Sequence, residues 1–321
     1  MKIIVYAPKN ADTLLPLLED GLPEGLSLVP CRSREDVAAL AADAVGFIAA
    51  GGGMPDSAML EELPRLSWVQ ILSAGADKLP LEDLHRRGIR LTNAKGVHQI
   101  QMSEFALLQM LQWARRADLH FSNQLDKRWG RRVPSGELHG QTVGILGTGS
   151  IGQAIAAKAR AFGMCTLGYN TSGRPELHFD GVFQGADGLL TVLGESDYVV
   201  VIVPSTPETQ GLIGQEQLQA MKPSACLINL ARGSVVSEPE LIAALQNGII
   251  AGAALDVFEE EPLPPESPLW ELPNVLITPH VAGASPHYNE RAAAIVRENL
   301  RRLAENPDGP LHNEVDLSQG Y

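Results

Sequence analysis

Three short apolar runs in the last third of the chain end in polar side chains. They lead into Asn229-Leu-Ala-Arg232-Gly233, Asp256-Val-Phe-Glu-Glu-Glu261-Pro262 and Thr278-Pro279-His280-Val-Ala-Gly283. Brought together, their charged residues would form a reactive set. A guanidinium offers planar, bidentate donors matched to a carboxylate. An imidazole titrates close to neutral pH and can deliver a proton. A carboxylate beside it favours the imidazolium and fixes the orientation of the ring. Arg232, Glu261 and His280 are therefore the candidate catalytic residues, with Arg232 and His280 also contacting substrate. The chemistry they suit is reduction of a small 2-oxo acid: the acid is held and polarised, and a proton reaches its oxygen as a hydride arrives at carbon. Singly, each has a plainer explanation. Arg232 could be a salt-bridge partner, Glu261 part of the solvated run Glu259-Glu260-Glu261, and His280 a buried or capping histidine. Their shared placement behind strand ends favours the joint reading, because ligands of open α/β sheets bind at the carboxyl ends of the strands.

Such a reaction needs a hydride source, and the sequence offers a place for one. Gly147-Thr148-Gly149-Ser150-Ile151-Gly152 follows the β-rich run 141–146 and opens a helical pattern. In a dinucleotide-binding turn the first glycine permits the tight bend. The second lets the backbone approach a pyrophosphate, and the third lets helix and strand pack closely. The helix N-terminus then presents unpaired N–H groups and a partial positive charge to the phosphates. An acidic residue is expected about 20 residues further on to bind the ribose of NAD. The chain instead reads Tyr169-Asn170-Thr171-Ser172-Gly173-Arg174, with no carboxylate. Asn170, Thr171 and Ser172 can hydrogen-bond a 2′-phosphate and Arg174 can pair with it. NADP(H) is the favoured cofactor, with NAD(H) as the alternative.

Elements able to position these groups recur along the chain. Runs 2–6, 44–50, 68–72 and 89–92 read as strands, separated by helical patterns at 13–20, 34–41 and 81–87. A strong helix former spans 101–119, and 123–140 reads as a loop containing Trp129. Further strands are expected at 166–169, 198–203, 225–229, 252–256 and 275–278, and a last helix at 289–306 that packs on the first lobe. The alternation predicts parallel sheets with helices on both faces. The fold class is thus α/β, with two Rossmann-like, doubly wound domains: 1–99 plus 285–321 for substrate, and 100–284 for the dinucleotide.

The bulk properties narrow the function classes. With 321 residues, 45% hydrophobic and 20% charged, the chain has the make-up of a globular protein of two domains. A net charge of −13 disfavours nucleic acid and anionic membrane surfaces as partners. The three cysteines, Cys31, Cys165 and Cys226, fit no metal spacing and read as buried, reduced thiols. No metal is expected. The opening apolar run is too short for a signal segment, so a cytoplasmic enzyme is the default reading.

Several motifs occur together and in a consistent order: Ser73-Ala-Gly-Ala-Asp77, Gly147 to Gly152, Val203-Pro204 with Thr209, Asn229 to Gly233, Leu255-Asp256-Val257, Glu261-Pro262-Leu263 and Thr278-Pro279-His280. On these the chain resembles the D-isomer-specific 2-hydroxyacid dehydrogenases over nearly its whole length. The resemblance implies a homodimer of two-lobed subunits with the active site in the interdomain cleft. It also implies that Ser73, Ala74 and Gly75 cradle the substrate carboxylate through the backbone. Val203, Pro204, Thr209, Leu230, Ala231, Arg232 and His280 would line the cofactor, and Asp256 would contact the nicotinamide carboxamide. Asn93 and Glu104 match family positions without an assigned role. The stretch from Glu261 to Trp270 and the ending Val315-Asp316 to Gly320-Tyr321 are similar to the A-type glyoxylate/hydroxypyruvate reductases, which favour NADPH. Two alternatives stay open: another dehydrogenase of this scaffold using NADH, and a non-enzymatic nucleotide-sensing interaction protein.

Overall fold

The computed structural model describes residues 1–73, 75–76 and 79–317. Ala74 and Asp77 of the expected carboxylate cradle, and the ending Gly320-Tyr321, lie outside the described residues. The elements are β1 (Lys2–Tyr6), α1 (Ala11–Glu19), β2 (Ser27–Cys31), α2 (Arg34–Leu40), β3 (Ala44–Ala49), α3 (Ser57–Glu61), β4 (Trp68–Ile71), α4 (Leu81–Arg86) and β5 (Arg90–Thr92). They continue with α5 (Gln99–Arg115), α6 (Ala117–Leu125), β6 (Thr142–Leu146), α7 (Ser150–Ala161), β7 (Cys165–Tyr169), β8 (Gly181–Phe183), α8 (Gly185–Glu195) and β9 (Tyr198–Val201). The series ends with α9 (Gln215–Ala220), β10 (Cys226–Asn229), α10 (Glu238–Gln246), β11 (Gly252–Leu255), β12 (Val275–Ile277) and α11 (Tyr288–Glu305). The chain divides into two compact units, Met1–His98 with Ser285–Tyr321, and Gln99–Ala284. Among the described residues no helix is long and apolar enough to cross a membrane.

The first unit is a five-stranded parallel sheet in the order β2-β1-β3-β4-β5. Successive side chains of a strand face opposite ways, and β1 shows the consequence. Ile4 packs with Val37 of α2, Met59 and Leu60 of α3 and Leu84 of α4. Ile3 and Val5 pack with Leu14 and Leu18 of α1 and with Ala293, Val296 and Leu300 of α11. The last helix thus closes one face of this sheet, and buried polar groups fix it there. Asn299 Nδ2 donates to Gln70 Oε1 at 2.8 Å. The Thr92 hydroxyl accepts from Trp68 Nε1 at 2.9 Å and donates to Gln70 Oε1 at 2.8 Å.

The second unit is a seven-stranded sheet in the order β12-β11-β10-β9-β6-β7-β8, with every pairing parallel. All four residues of β9, β10 and β11 are buried, as expected of strands covered on both faces. Val199, Val201, Leu227 and Leu255 meet α8, α9 and α10 on one side. Val143, Ile145, Val200 and Ile228 meet α5 and α7 on the other. The chain enters at β6, runs outward through β7 and β8, then returns to β9 on the other side of β6. That reversal is the topological switch point, where open α/β sheets hold ligands.

The structure corrects the sequence reading in four places. β2 was not expected because Pro30 interrupts it; it is an edge strand, where a missing N–H is tolerated. β8, also an edge, is too short for its pattern to register. The helix expected over 101–119 ends at Arg115, and α6 starts anew and runs into the expected loop. Arg116 takes a left-handed φ of 50° between them. Its guanidinium pairs with Asp118 at 2.8 Å and sits 6.0 Å above the Trp113 ring, local interactions that override helix propensity. Finally, Cys31 and Cys226 are buried but Cys165, the first residue of β7, is exposed.

Replacing Thr92 with Val should leave the buried Trp68 N–H without its acceptor. The expected loss is about 1–3 kcal/mol, the desolvation penalty of an unpaired buried donor. It would be read as a lower urea midpoint at unchanged slope; an unchanged midpoint would show that the network does not stabilise this unit.

Candidate active site

The glycine turn between β6 and α7 has the steric character that phosphate binding demands. Gly147 takes φ +109°, and a Cβ there would lie 2.9 Å from the carbonyl oxygen of Ile202, at the end of β9. A Cβ on Gly152 would run into the Gly147 carbonyl. One built on Gly149, by contrast, meets no atom within 4 Å, so this is the point at which another molecule can approach the backbone. Gly149 caps α7 with no side-chain hydrogen bond, leaving the first-turn amides for a ligand. Ser150 and Ile151 form that first turn. The residues present therefore suit a dinucleotide pyrophosphate.

At the end of β7, Asn170 has a structural task. Its Nδ2 donates to Thr148 Oγ1 at 2.8 Å, and its Oδ1 accepts the N–H of Ser172 at 3.0 Å and of Gly173 at 2.6 Å. It ties the glycine turn to the loop 171–174. Thr171, Ser172 and Arg174 are exposed on that loop. The Arg174 Nε donates to Ser172 Oγ at 3.3 Å, and Arg174 makes no ion pair among the described residues. Beyond β9, Val203 is buried and Pro204 exposed. Thr209 holds that loop, its hydroxyl donating to the Pro204 carbonyl at 2.7 Å and accepting the Thr206 N–H at 2.8 Å.

Arg232 follows β10. Buried Asn229 shapes its segment, accepting the Ala231 N–H at 3.1 Å and donating to the Arg232 carbonyl at 3.1 Å, while Leu230 and Ala231 are buried beneath. The exposed guanidinium donates only to the Ala231 carbonyl, at 2.8 Å, and forms no ion pair among the described residues. Glu261 and His280 do meet. His280 Nδ1 lies 2.7 Å from Glu261 Oε2, while Oε1 accepts the Phe258 N–H at 3.1 Å.

The Glu261 carboxyl is held below its ordinary range. Partial burial opposes ionisation, but the hydrogen bonds from His280 and Phe258 and the positive charges of His280 and Arg232 outweigh it. An ionised carboxylate can only accept. Nδ1 must therefore carry the proton in that bond, which leaves Nε2 as the ring nitrogen not engaged by Glu261.

His280 itself sits in a left-handed conformation, φ 54°, which is uncommon for a residue other than glycine. Asp256 braces it from both sides. This carboxylate is 2% exposed at the end of β11. Its Oδ1 accepts the Thr278 hydroxyl at 2.6 Å and the Val281 N–H at 3.0 Å, and its Oδ2 accepts the Ala282 N–H at 2.8 Å. Sequence reasoning gave Asp256 only a cofactor contact and Thr278 no role. The signal was present: a carboxylate closing an apolar strand is too costly to bury unless donors await it. Gly233 also acts unforeseen, because any Cβ there would collide with the Phe258–Glu259 peptide. Ser73 and Gly75 belong to the other unit, where the Ser73 hydroxyl donates to the Gly75 carbonyl at 2.8 Å; Ala74 lies outside the described residues.

Asp256→Asn replaces one of the two acceptor oxygens with an N–H₂ group facing donors. The expected result is a loss of about 1–3 kcal/mol and faster hydrogen exchange at Val281 and Ala282. Undiminished protection of those amides would show that Asp256 does not hold the His280 segment.

Residues 107–282 match the family model described as D-isomer specific 2-hydroxyacid dehydrogenase, NAD binding domain. A glyoxylate reductase of Korarchaeum cryptofilum is 40% identical over 267 residues, covering 81% of this chain and 80% of that protein. A D-isomer specific 2-hydroxyacid dehydrogenase family protein from Aeromonas salmonicida superposes with a TM-score of 0.86 at 34% identity, covering 98% of this chain and 99% of the other. An NADPH-dependent glyoxylate/hydroxypyruvate reductase from Sinorhizobium meliloti, solved with NADP and sulfate, gives a TM-score of 0.84 at 28% identity, covering 100% and 99%. With the glycine turn, the arginine and the Glu–His pair all at the carboxyl edge of one parallel sheet, the chain belongs to the D-isomer specific 2-hydroxyacid dehydrogenase family and is an NAD(P)-dependent oxidoreductase.

Proposed function

We propose that this enzyme reduces a small 2-oxo acid of the glyoxylate or hydroxypyruvate type to the D-2-hydroxy acid, with NADPH as the favoured reductant. The observation that carries the reading is the 2.7 Å contact between His280 and an ionised Glu261 that also feels the charge of Arg232. Arg232 binds the acid, its guanidinium engaging no carboxylate among the described residues. His280 gives the proton on Nε2 to the oxygen that becomes the hydroxyl. Glu261 fixes the ring and balances the imidazolium. Bound cofactor supplies the hydride, held by the turn from Gly147 to Gly152, with Val203, Pro204, Thr209, Leu230, Ala231 and Asp256 along its path. Ser73, Ala74 and Gly75 are assigned to the substrate carboxylate on the family's pattern. Relatives named as glyoxylate reductases support the substrate class.

For the cofactor, support comes from the loop after β7. Asn170 takes the place where a carboxylate would repel a 2′-phosphate, and Ser172 and the exposed Arg174 stand beside it. Structures of family members with NADP or NADPH agree with that choice. A homodimer and a cytoplasmic setting complete the reading. Phe121, Leu125 and Trp129, which are 63%, 84% and 87% exposed, form the kind of apolar surface that a second subunit covers. Three free cysteines suit a reducing compartment. The net charge of −13 speaks against nucleic acid or an anionic membrane as a partner.

Oxidation of NADPH followed by absorbance, with glyoxylate, hydroxypyruvate and pyruvate as acceptors, tests the function directly. Rapid turnover is expected with the first two, and none with any acid would remove the reading. His280→Ala should lower kcat by roughly two to four orders of magnitude, the range of a general acid; near-normal turnover would exclude it as proton donor. Arg174→Ala should raise the KM for NADPH and leave that for NADH almost unchanged, and equal effects on both would remove Arg174 from the phosphate site.

A further inference from the structure

The acidic run Glu259-Glu260-Glu261 does not act as one group. Glu261 turns toward His280, whereas Glu259 turns away to the start of α10. Ser237 caps that helix without a side-chain hydrogen bond, so the Glu238 N–H would be an orphan donor. Glu259 Oε1 accepts it at 3.1 Å, and Glu238 Oε2 accepts the Glu259 N–H in return at 3.2 Å. A carboxylate is stabilised at a helix N-terminus and by N–H donors, which offsets the repulsion of placing two acids face to face. Next to this exchange, Gly233 is pressed on the Phe258–Glu259 peptide so closely that no side chain would fit.

Three contacts thus join the segment carrying Arg232 to the segment carrying Glu261, although the bonded residues are 21 positions apart in sequence. The two segments also leave paired strands, β10 beside β11, with the Asp256 N–H donating to the Asn229 carbonyl at 3.1 Å; beyond that point Asn229 shapes one, and Phe258 and Glu261 the other. Nothing within either segment alone sets the separation between the guanidinium and the Glu–His pair.

We infer that Glu259 and Glu238 are positioning residues, whose reciprocal hydrogen bonds fix Arg232 relative to the Glu261–His280 pair. This inference rests on the reductase reading above. Neither residue touches substrate. Both act by holding the carboxylate-binding cation at the distance from the proton donor that a two-carbon 2-oxo acid requires.

Kinetics and hydrogen exchange on Glu259→Gln, Glu259→Ala, Glu238→Ala and the Ala pair test it. The Glu259→Ala variant should raise the KM for glyoxylate and lower kcat, together by roughly ten- to a hundred-fold, with the KM for NADPH unchanged. Glu259→Gln keeps an acceptor oxygen for the Glu238 N–H and should recover most of that loss. Because the two residues act as one unit, the Ala pair should lose no more than either single variant. Exchange of the amides at 232–238 should quicken in Glu259→Ala and not in Glu259→Gln. A lower melting temperature with unchanged glyoxylate kinetics would reduce the pair to a helix cap and overturn the inference, as would Gln behaving like Ala. If the wild-type enzyme reduces no 2-oxo acid, the functional reading fails on its own. Exchange at 232–238 then decides the lock: acceleration supports it, and unchanged exchange overturns it.

Discussion

One hydrogen bond organises the candidate site: the 2.7 Å contact between Glu261 and His280. It joins two loops from different strands, and the histidine backbone there occupies a left-handed conformation. Such a conformation persists only when its surroundings over-determine it. Asp256 does that work, a nearly fully buried carboxylate that accepts hydrogen bonds from the residues on either side of His280. His280 is thereby fixed by the residue that ends β11, even though it follows β12. Glu261, ionised because its donors and neighbouring cations outweigh its burial, then sets which ring nitrogen holds which proton.

The sheet supplies the rest of the geometry. Because every strand of this unit is parallel, all carboxyl ends lie along one edge. The glycine turn, the Thr209 loop, Arg232, Asp256 and His280 each follow a different strand and so fall along that edge without long connections. The reversal of strand order between β6 and β9 opens the crevice there. Gly147 shows how tightly the crevice is drawn, with the backbone at the end of β9 filling the space that a side chain would need. Gly149 shows where it is left open. The shape of the candidate site therefore depends on backbone packing at the strand ends as much as on its charged side chains.

Much of this was legible in the sequence. The strands around the candidate site are continuous apolar runs; Asp256 directly follows β11, and Arg232 and His280 come shortly after β10 and β12. The edge strands β2 and β8 were missed because their sequences lack that signature: one contains Pro30, and the other spans only Gly181–Phe183. The break at Arg116 was hidden because its cause is a local ion pair and a tryptophan face, not a weak helix former. Among site residues, type and order singled out Arg232, Glu261 and His280, and the structure brings the last two into contact. The partners of the bracing groups could not be read that way. Asp256 was assigned to the cofactor, yet its bonded partners are the hydroxyl of Thr278 and two backbone amides, and amides carry no sequence signal. Glu259 read as a solvated acid because the helix end that it caps lies 21 residues away.

The pH dependence of 2-oxo acid reduction in the Glu261→Gln variant tests the central interaction most directly. In the proposed reaction His280 gives up a proton with each reduction, so the rate should fall at alkaline pH. Glu261 carries the negative charge in that contact, its carboxyl being held below the ordinary carboxylate value. Removing that charge while keeping the shape should move the alkaline limb of kcat/KM to lower pH and reduce the rate at neutrality. An unchanged profile in Glu261→Gln would contradict the assignment of the Glu261–His280 pair as the proton-delivering centre.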